Sequence, residues 1–137
     1  MTVQSTSSLV HDATGAVLAD RLVRPRTMLG RGLGLMFRAR LDPGQGMWIG
    51  PCNGIHMFFM RFAIDAVFVD KTMRVVRTYR GLRPWRVVPL VRKAKAVFEL
   101  PSGQLDALGL ELAAGDLLRI QTDREWAAPT PDTAPRR

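Results

Sequence analysis

The sequence has one cysteine, Cys52, and that scarcity excludes an internal disulfide and any cluster of several cysteines around a metal. Long apolar runs are missing too: no stretch approaches the ~20 unbroken apolar residues of a membrane-crossing helix. The first eight residues carry neither the basic nor the apolar region of a secretory leader, so cytoplasmic residence is the expectation. Acidic residues are few, 12 against 20 Lys and Arg, leaving a formal charge of +8. Between Lys71 and Lys95 they are absent altogether. There is no internal repeat. The absence of a helix-turn-helix, zinc-finger or RNP pattern speaks against sequence-specific nucleic-acid recognition.

What remains is a chain of 137 residues, 47% apolar, the size and composition of one globular domain. The folded unit is expected over residues 9–121. The Ser/Thr-rich residues 1–8 and the Pro-rich tail 122–137 are expected to be disordered, since neither has the apolar surface to offset the entropy of ordering. Two short apolar runs around Leu9–His11 and Ala16–Leu18, separated by Asp12–Gly15, predict a hairpin. Pro25 to Arg38 has near-helical apolar spacing, interrupted by Gly30, Gly32 and Gly34. That glycine cluster lacks the spacing and the Gly-Lys-Ser/Thr ending of a phosphate loop.

Met47–Ile49 predicts a strand, followed by a turn-like Gly50–Gly54. The apolar run through Phe62–Val69 predicts a central strand buried on both faces, with Arg74–Tyr79 as its antiparallel partner. Ala96–Leu100 is a further strand, Ser102 is placed to cap a short helix, and Gly115–Ile120 is the last turn and strand. The predicted fold class is α+β and β-rich: a single compact domain with a mostly antiparallel, partly closed, barrel-like sheet and one or two short helices.

Several residues are candidates for chemistry. A turn can bring Cys52 and His56 into reach of each other, and Asp65 on the next strand could orient the imidazole, giving a small-molecule or thiol-dependent enzyme pocket. The competing reading is structural, because cysteine and a histidine in an apolar stretch are both commonly buried. Two ligands are too few for a closed zinc site, and His11 is distant in sequence, so no metal and no cofactor are expected. Asp65 lies in the most apolar run of the chain and needs a partner, either Arg61 or backbone N–H groups. Glu99 should face away from Phe98 and Leu100. On a common face, Asp65 and Glu99 would form a carboxylate pair.

Nine cations in the 25 residues from Lys71 to Lys95 form the strongest charge signal. Arg74, Arg77, Arg80, Arg83, Trp85 and Arg86 are the candidate binding residues, suited to an acidic protein, an anionic lipid surface or nucleic acid. The bland alternative is a solvated basic face in an Arg-heavy chain. A non-catalytic binding or accessory protein is the favoured reading, and the thiol pocket its rival. Substrate and oligomeric state have no signature in the sequence.

Gly34-Leu35-Met36-Phe37-Arg38, Gly46-Met47-Trp48, His56-Met57, Met60, Ile64-Asp65 with Phe68 and Asp70, Val75-Val76, Phe98-Glu99-Leu100-Pro101 with Gly103, and Gly115-Asp116 occur in this order. Together they resemble the small bacterial and archaeal family known as domain of unknown function 192, over roughly residues 20–120. Cys52, His56 and Leu82-Arg83-Pro84-Trp85-Arg86 look like one bacterial branch of it. Met57–Phe62 departs from the Trp-Met-Lys-Asn-Thr-like stretch of other members, so no Lys-Asn role carries over. The resemblance implies a compact β-rich fold and no established activity.

Overall fold

Ile64–Val69 forms a strand in which all six residues are buried, as its unbroken apolar character requires. The computed structural model describes residues 7–23, 41–57 and 60–122. Among them the chain forms, in order, β1 (Ser7–His11), β2 (Val17–Ala19), β3 (Arg21–Val23), β4 (Gln45–Ile49), β5 (Ile55–His56), β6 (Ile64–Val69), β7 (Val75–Leu82), β8 (Val87–Val88), β9 (Ala96–Pro101), a four-residue helix α1 (Gln104–Ala107), and β10 (Leu118–Thr122). The Pro25–Arg38 helix expectation lies outside the described residues.

The strands make a five-stranded sheet in the order β3-β4-β9-β6-β7, a three-stranded sheet β10-β1-β2, and a two-stranded ladder β5-β8. All pairings are antiparallel except β3 with β4. The predicted hairpin is β1-β2, and β7 is the partner predicted for β6. An isolated bridge, Arg74 to Leu117, joins the five- and three-stranded sheets at their edges. The sheets do not close into a barrel.

Each face of the central sheet buries its own core. On one face Val67, Val69, Phe98 and Leu100 pack with Leu9, Leu18 and Leu118 of the small sheet and Leu105 of α1. On the other, Ile64, Ala66, Phe68 and Val97 pack under Met57, Val88, Val91 and Ala94. The cover of this second core is the excursion from Arg83 to Ala94, docked onto β5 and the residues on either side of it. Trp85 N–H donates to the Met57 carbonyl (2.7 Å), Met57 N–H to Arg86 (2.7 Å) and Val91 N–H to Asn53 (2.7 Å). Gly54 lets the two backbones approach, since a Cβ there would lie 2.5 Å from the Pro89 carbonyl oxygen.

Asp65, the second residue of β6, is 1% exposed. Its Oδ1 accepts from the N–H groups of Gly81 (2.9 Å) and Gly103 (3.3 Å), and its Oδ2 from Leu105 N–H (3.2 Å). Of the two structural partners expected, backbone N–H groups are therefore the ones found, while Arg61 is exposed. The same bonds correct the expectation for Ser102. The residue at the N-cap position of α1 is Gly103, with φ of +86° and no capping side chain of its own. Asp65 supplies the missing acceptor from another strand.

Removing a buried carboxylate that serves three N–H groups leaves buried donors unmatched. Asp65→Ala is expected to destabilise the chain by about 2–4 kcal/mol in urea unfolding. Asp65→Asn, which keeps one acceptor oxygen, should lose less. Unchanged stability in the Ala variant would contradict this role.

Candidate functional site

The loop carrying Cys52 follows directly from β4. Its backbone is pinned to the start of β9, with Cys52 N–H donating to the Lys95 carbonyl at 2.8 Å. The thiol donates to the Gly54 carbonyl at 2.9 Å, and the side chain packs, partly buried, against the second core. A bond from the S–H stabilises the thiol over the thiolate, the opposite of what a nucleophile needs. Cys52 also lines a shallow depression of about 210 Å³ with Pro51, Asn53, Ala94 and Lys95.

The backbone of His56 pairs with Val87; its side chain lies outside the described structure. Asp65 directs its carboxylate to the opposite face of the sheet from the core that Cys52 packs against. The structure therefore does not bring Asp65 to Cys52.

Glu99 faces away from Phe98 and Leu100, as alternation demands. Its register partners are Met47 and Ala66, whereas Asp65 pairs with Leu100. Asp65 and Glu99 are thus on opposite faces, which corrects the carboxylate-pair expectation. A one-residue step along a strand reverses the face, and Glu99 is one residue from Leu100, the register partner of Asp65. Glu99 is 7% exposed, and burial pushes its carboxyl up to about 7. A third polar group, His11, is also buried. It bridges Thr14 Oγ1 (2.7 Å) and Asp116 Oδ2 (3.0 Å), tying β1 to the turn before β10. The Asp116 carboxyl lies below the usual carboxylate range, chiefly through the N–H of Ala113 and then through His11.

The basic segment divides in two. Arg74 donates to the Gly115 carbonyl (2.9 Å). Arg80 reaches Asp106 (2.6 Å) and the Leu110 carbonyl (2.7 Å). Arg74, just before β7, thus reaches the turn before β10, and Arg80 ties β7 to α1 and the residues after it. Arg77 lies 4.9 Å from the centroid of the Tyr79 ring, a cation–π contact. The second group sits on the excursion that covers the second core: Arg83, Arg86, Arg92 and Lys93 are all exposed. Trp85 is 59% exposed, at a φ of +70° that is uncommon for a bulky residue. Val87 (51%) and Leu90 (64%) are exposed beside it. The inner residues of the excursion, Val88, Val91 and Ala94, are buried, so one segment closes the core and presents a basic, apolar outer surface.

Val87 and Leu90 are absent from the candidates read from sequence. Pro84 and Pro89 were the available signal, because prolines exclude a central strand and leave apolar residues between them on a surface loop.

The family model DUF192, described as uncharacterized ACR, COG1430, matches residues 12–120. A UPF0127 protein of Thermococcus sibiricus is 33% identical over 90% of this chain and 81% of its own length. One from Thermococcus kodakarensis is 34% identical over 93% and 83%. Both relatives are archaeal, so they support the family and not its bacterial branch. The crystal structure of a protein of unknown function from Novosphingobium aromaticivorans superposes with a TM-score of 0.67, at 25% identity and 82% coverage of each chain.

Glu99 makes stability depend on pH. Its folded value of about 7 lies above the ordinary 4.5. The stability associated with the protonated, buried carboxyl is therefore full below about pH 4.5 and is lost as pH rises through 7. Glu99→Gln should consequently gain on the parent by about 3 kcal/mol between pH 4 and pH 8 in urea unfolding. A difference that does not change with pH would contradict a buried Glu99 that titrates this way.

Proposed function

We propose that this chain, which belongs to the DUF192 family of uncharacterised proteins, is a non-catalytic binding protein that engages an acidic partner through the outer surface of residues 83–93. One observation carries the reading. Arg83, Arg86, Arg92 and Lys93 are exposed around Trp85, Val87 and Leu90 on an excursion whose backbone is already fixed. Exposed tryptophan and arginine together are the residue types that dominate binding energy at protein interfaces. A loop held by its own hydrogen bonds and by a buried inner face loses little conformational freedom on binding.

No acid lies between Lys71 and Lys95 in the sequence, so residues 83–93 carry their cations with no acid of their own segment beside them. Arg74, Arg77 and Arg80 are occupied within the fold and contribute field rather than contacts. This reading needs no thiolate and no carboxylate pair, in keeping with the Cys52 sulfur bonded to the Gly54 carbonyl and the divided carboxylates.

Partner capture from a lysate of the source organism tests it. Proteins retained at 0.1 M salt should be largely released at 0.5 M, because exposed charges are screened beyond ~10 Å at 0.1 M and far more strongly above it. The Arg83→Glu/Arg86→Glu variant should retain none of them, and nuclease treatment should change nothing. Retention of the same proteins at 0.5 M, or by the double variant, would overturn the reading.

A further inference from the structure

We infer that the cleft at the end of the central sheet, where β4 runs out and β9 begins, binds a small amphipathic carboxylate. Such a ligand has an apolar or aromatic body bearing one acid group. The cleft holds about 300 Å³, and Trp48, Pro51, Val69 and Met73 line it with Lys71 and Lys95. That size, at the low end for ligand pockets, suits a single-ring or short-chain molecule better than a nucleotide.

The sheet itself puts the two lysines there. Val69 and Ala96 are the last rung of the β6-β9 ladder, and Lys95 N–H donates to the Val69 carbonyl at 2.8 Å. Lys71 follows Val69 by two residues, in a turn closed by Asp70 N–H to the Arg74 carbonyl (2.9 Å) and Met73 N–H to Asp70 (3.1 Å). Both side chains leave the same end of the sheet, and both residues are exposed. The apolar wall depends on Gly50. A Cβ at that position would lie 2.7 Å from the indole of Trp48, so glycine allows the ring to rest against the backbone.

Charge then selects the ligand. Among the described residues the only acid lining the cleft is Asp70, whose Oδ1 accepts from Thr72 N–H (2.8 Å), Thr72 Oγ1 (2.7 Å) and Arg74 N–H (3.1 Å). Asp70 is thus engaged by its own turn. Lys71 and Lys95 have no acidic partner among the described residues. Two ammonium groups beside an apolar wall match one anionic group joined to an apolar body, repel a cation, and give a neutral ligand no polar advantage. The cleft adjoins the first core and is separate from the outer surface of residues 83–93.

The probes are 4-phenylbutyrate and its uncharged analogue 4-phenylbutanol, titrated into the full chain by NMR. The carboxylate should shift the Trp48 indole N–H and the Met73 methyl resonance, and bind about tenfold more tightly than the alcohol, a difference of about 1.4 kcal/mol. Lys71→Gln/Lys95→Gln changes two exposed side chains, so folding should persist. The variant should bind both probes equally. Equal affinity in the parent, failure of both probes to bind at millimolar concentration, shifts confined to other residues, or a carboxylate preference that survives in the double variant would each overturn the assignment.

Discussion

A carboxylate within the most buried strand has to be matched or neutralised, and at Asp65 three backbone N–H groups do the matching. Those donors come from Gly81 on β7 and from Gly103 and Leu105 at the start of α1. The central strand is thereby tied to its neighbour and to the turn that follows β9. Leu105 is carried into the first core by the same joint. Capping from a distant strand makes a four-residue helix tenable where its own sequence offers no capping side chain. A charged residue inside an apolar strand thus specifies how several elements meet, rather than marking a reaction centre.

With the sheet buried on both faces, each polar group is assigned by the face it occupies. Asp65 and the His11–Asp116 pair serve the joints around the first core, and Glu99 faces the second. Arg74 binds the Gly115 carbonyl, and Arg80 binds Asp106 of α1 and the Leu110 carbonyl beyond it. Among the described residues, Arg83, Arg86, Arg92 and Lys93 are exposed together on the excursion that covers the second core. Its inner residues are held by burial, each fully buried apolar side chain contributing about 1.5–3 kcal/mol. Its outer residues are under no such demand, and there the chain displays tryptophan, leucine and arginine to solvent. Stability and recognition use opposite faces of one segment.

Much of this was legible in the sequence wherever the signal is local. The unbroken apolar run of Ile64–Val69, the Asp70–Met73 turn into β7, and the hairpin of β1 and β2 follow from neighbouring residues, and the family resemblance agreed with them. What escaped depends on partners far along the chain. Ser102 satisfies every local rule for a cap, yet the acceptor is Asp65, 40 residues before the N–H it serves at Leu105. Arg80 looks like any other cation of its segment until Asp106 and Leu110 are placed beside it. Facing is also a matter of register, which is why Asp65 and Glu99 could be set together on paper and lie on opposite faces in the fold. The parallel pairing of β3 with β4 belongs to the same class of non-local information.

The central claim is that, among the described residues, an acidic macromolecular partner is engaged through the outer surface of residues 83–93. The most direct measurement is a map of backbone amide shifts as a poly-glutamate peptide is titrated into the labelled full-length chain. The account predicts saturable shifts confined to the amides of residues 83–93 and their immediate supports at Asn53 and Met57, fading with added salt. Shifts centred on Arg74 and Arg80, or spread evenly over every exposed cation, would contradict it.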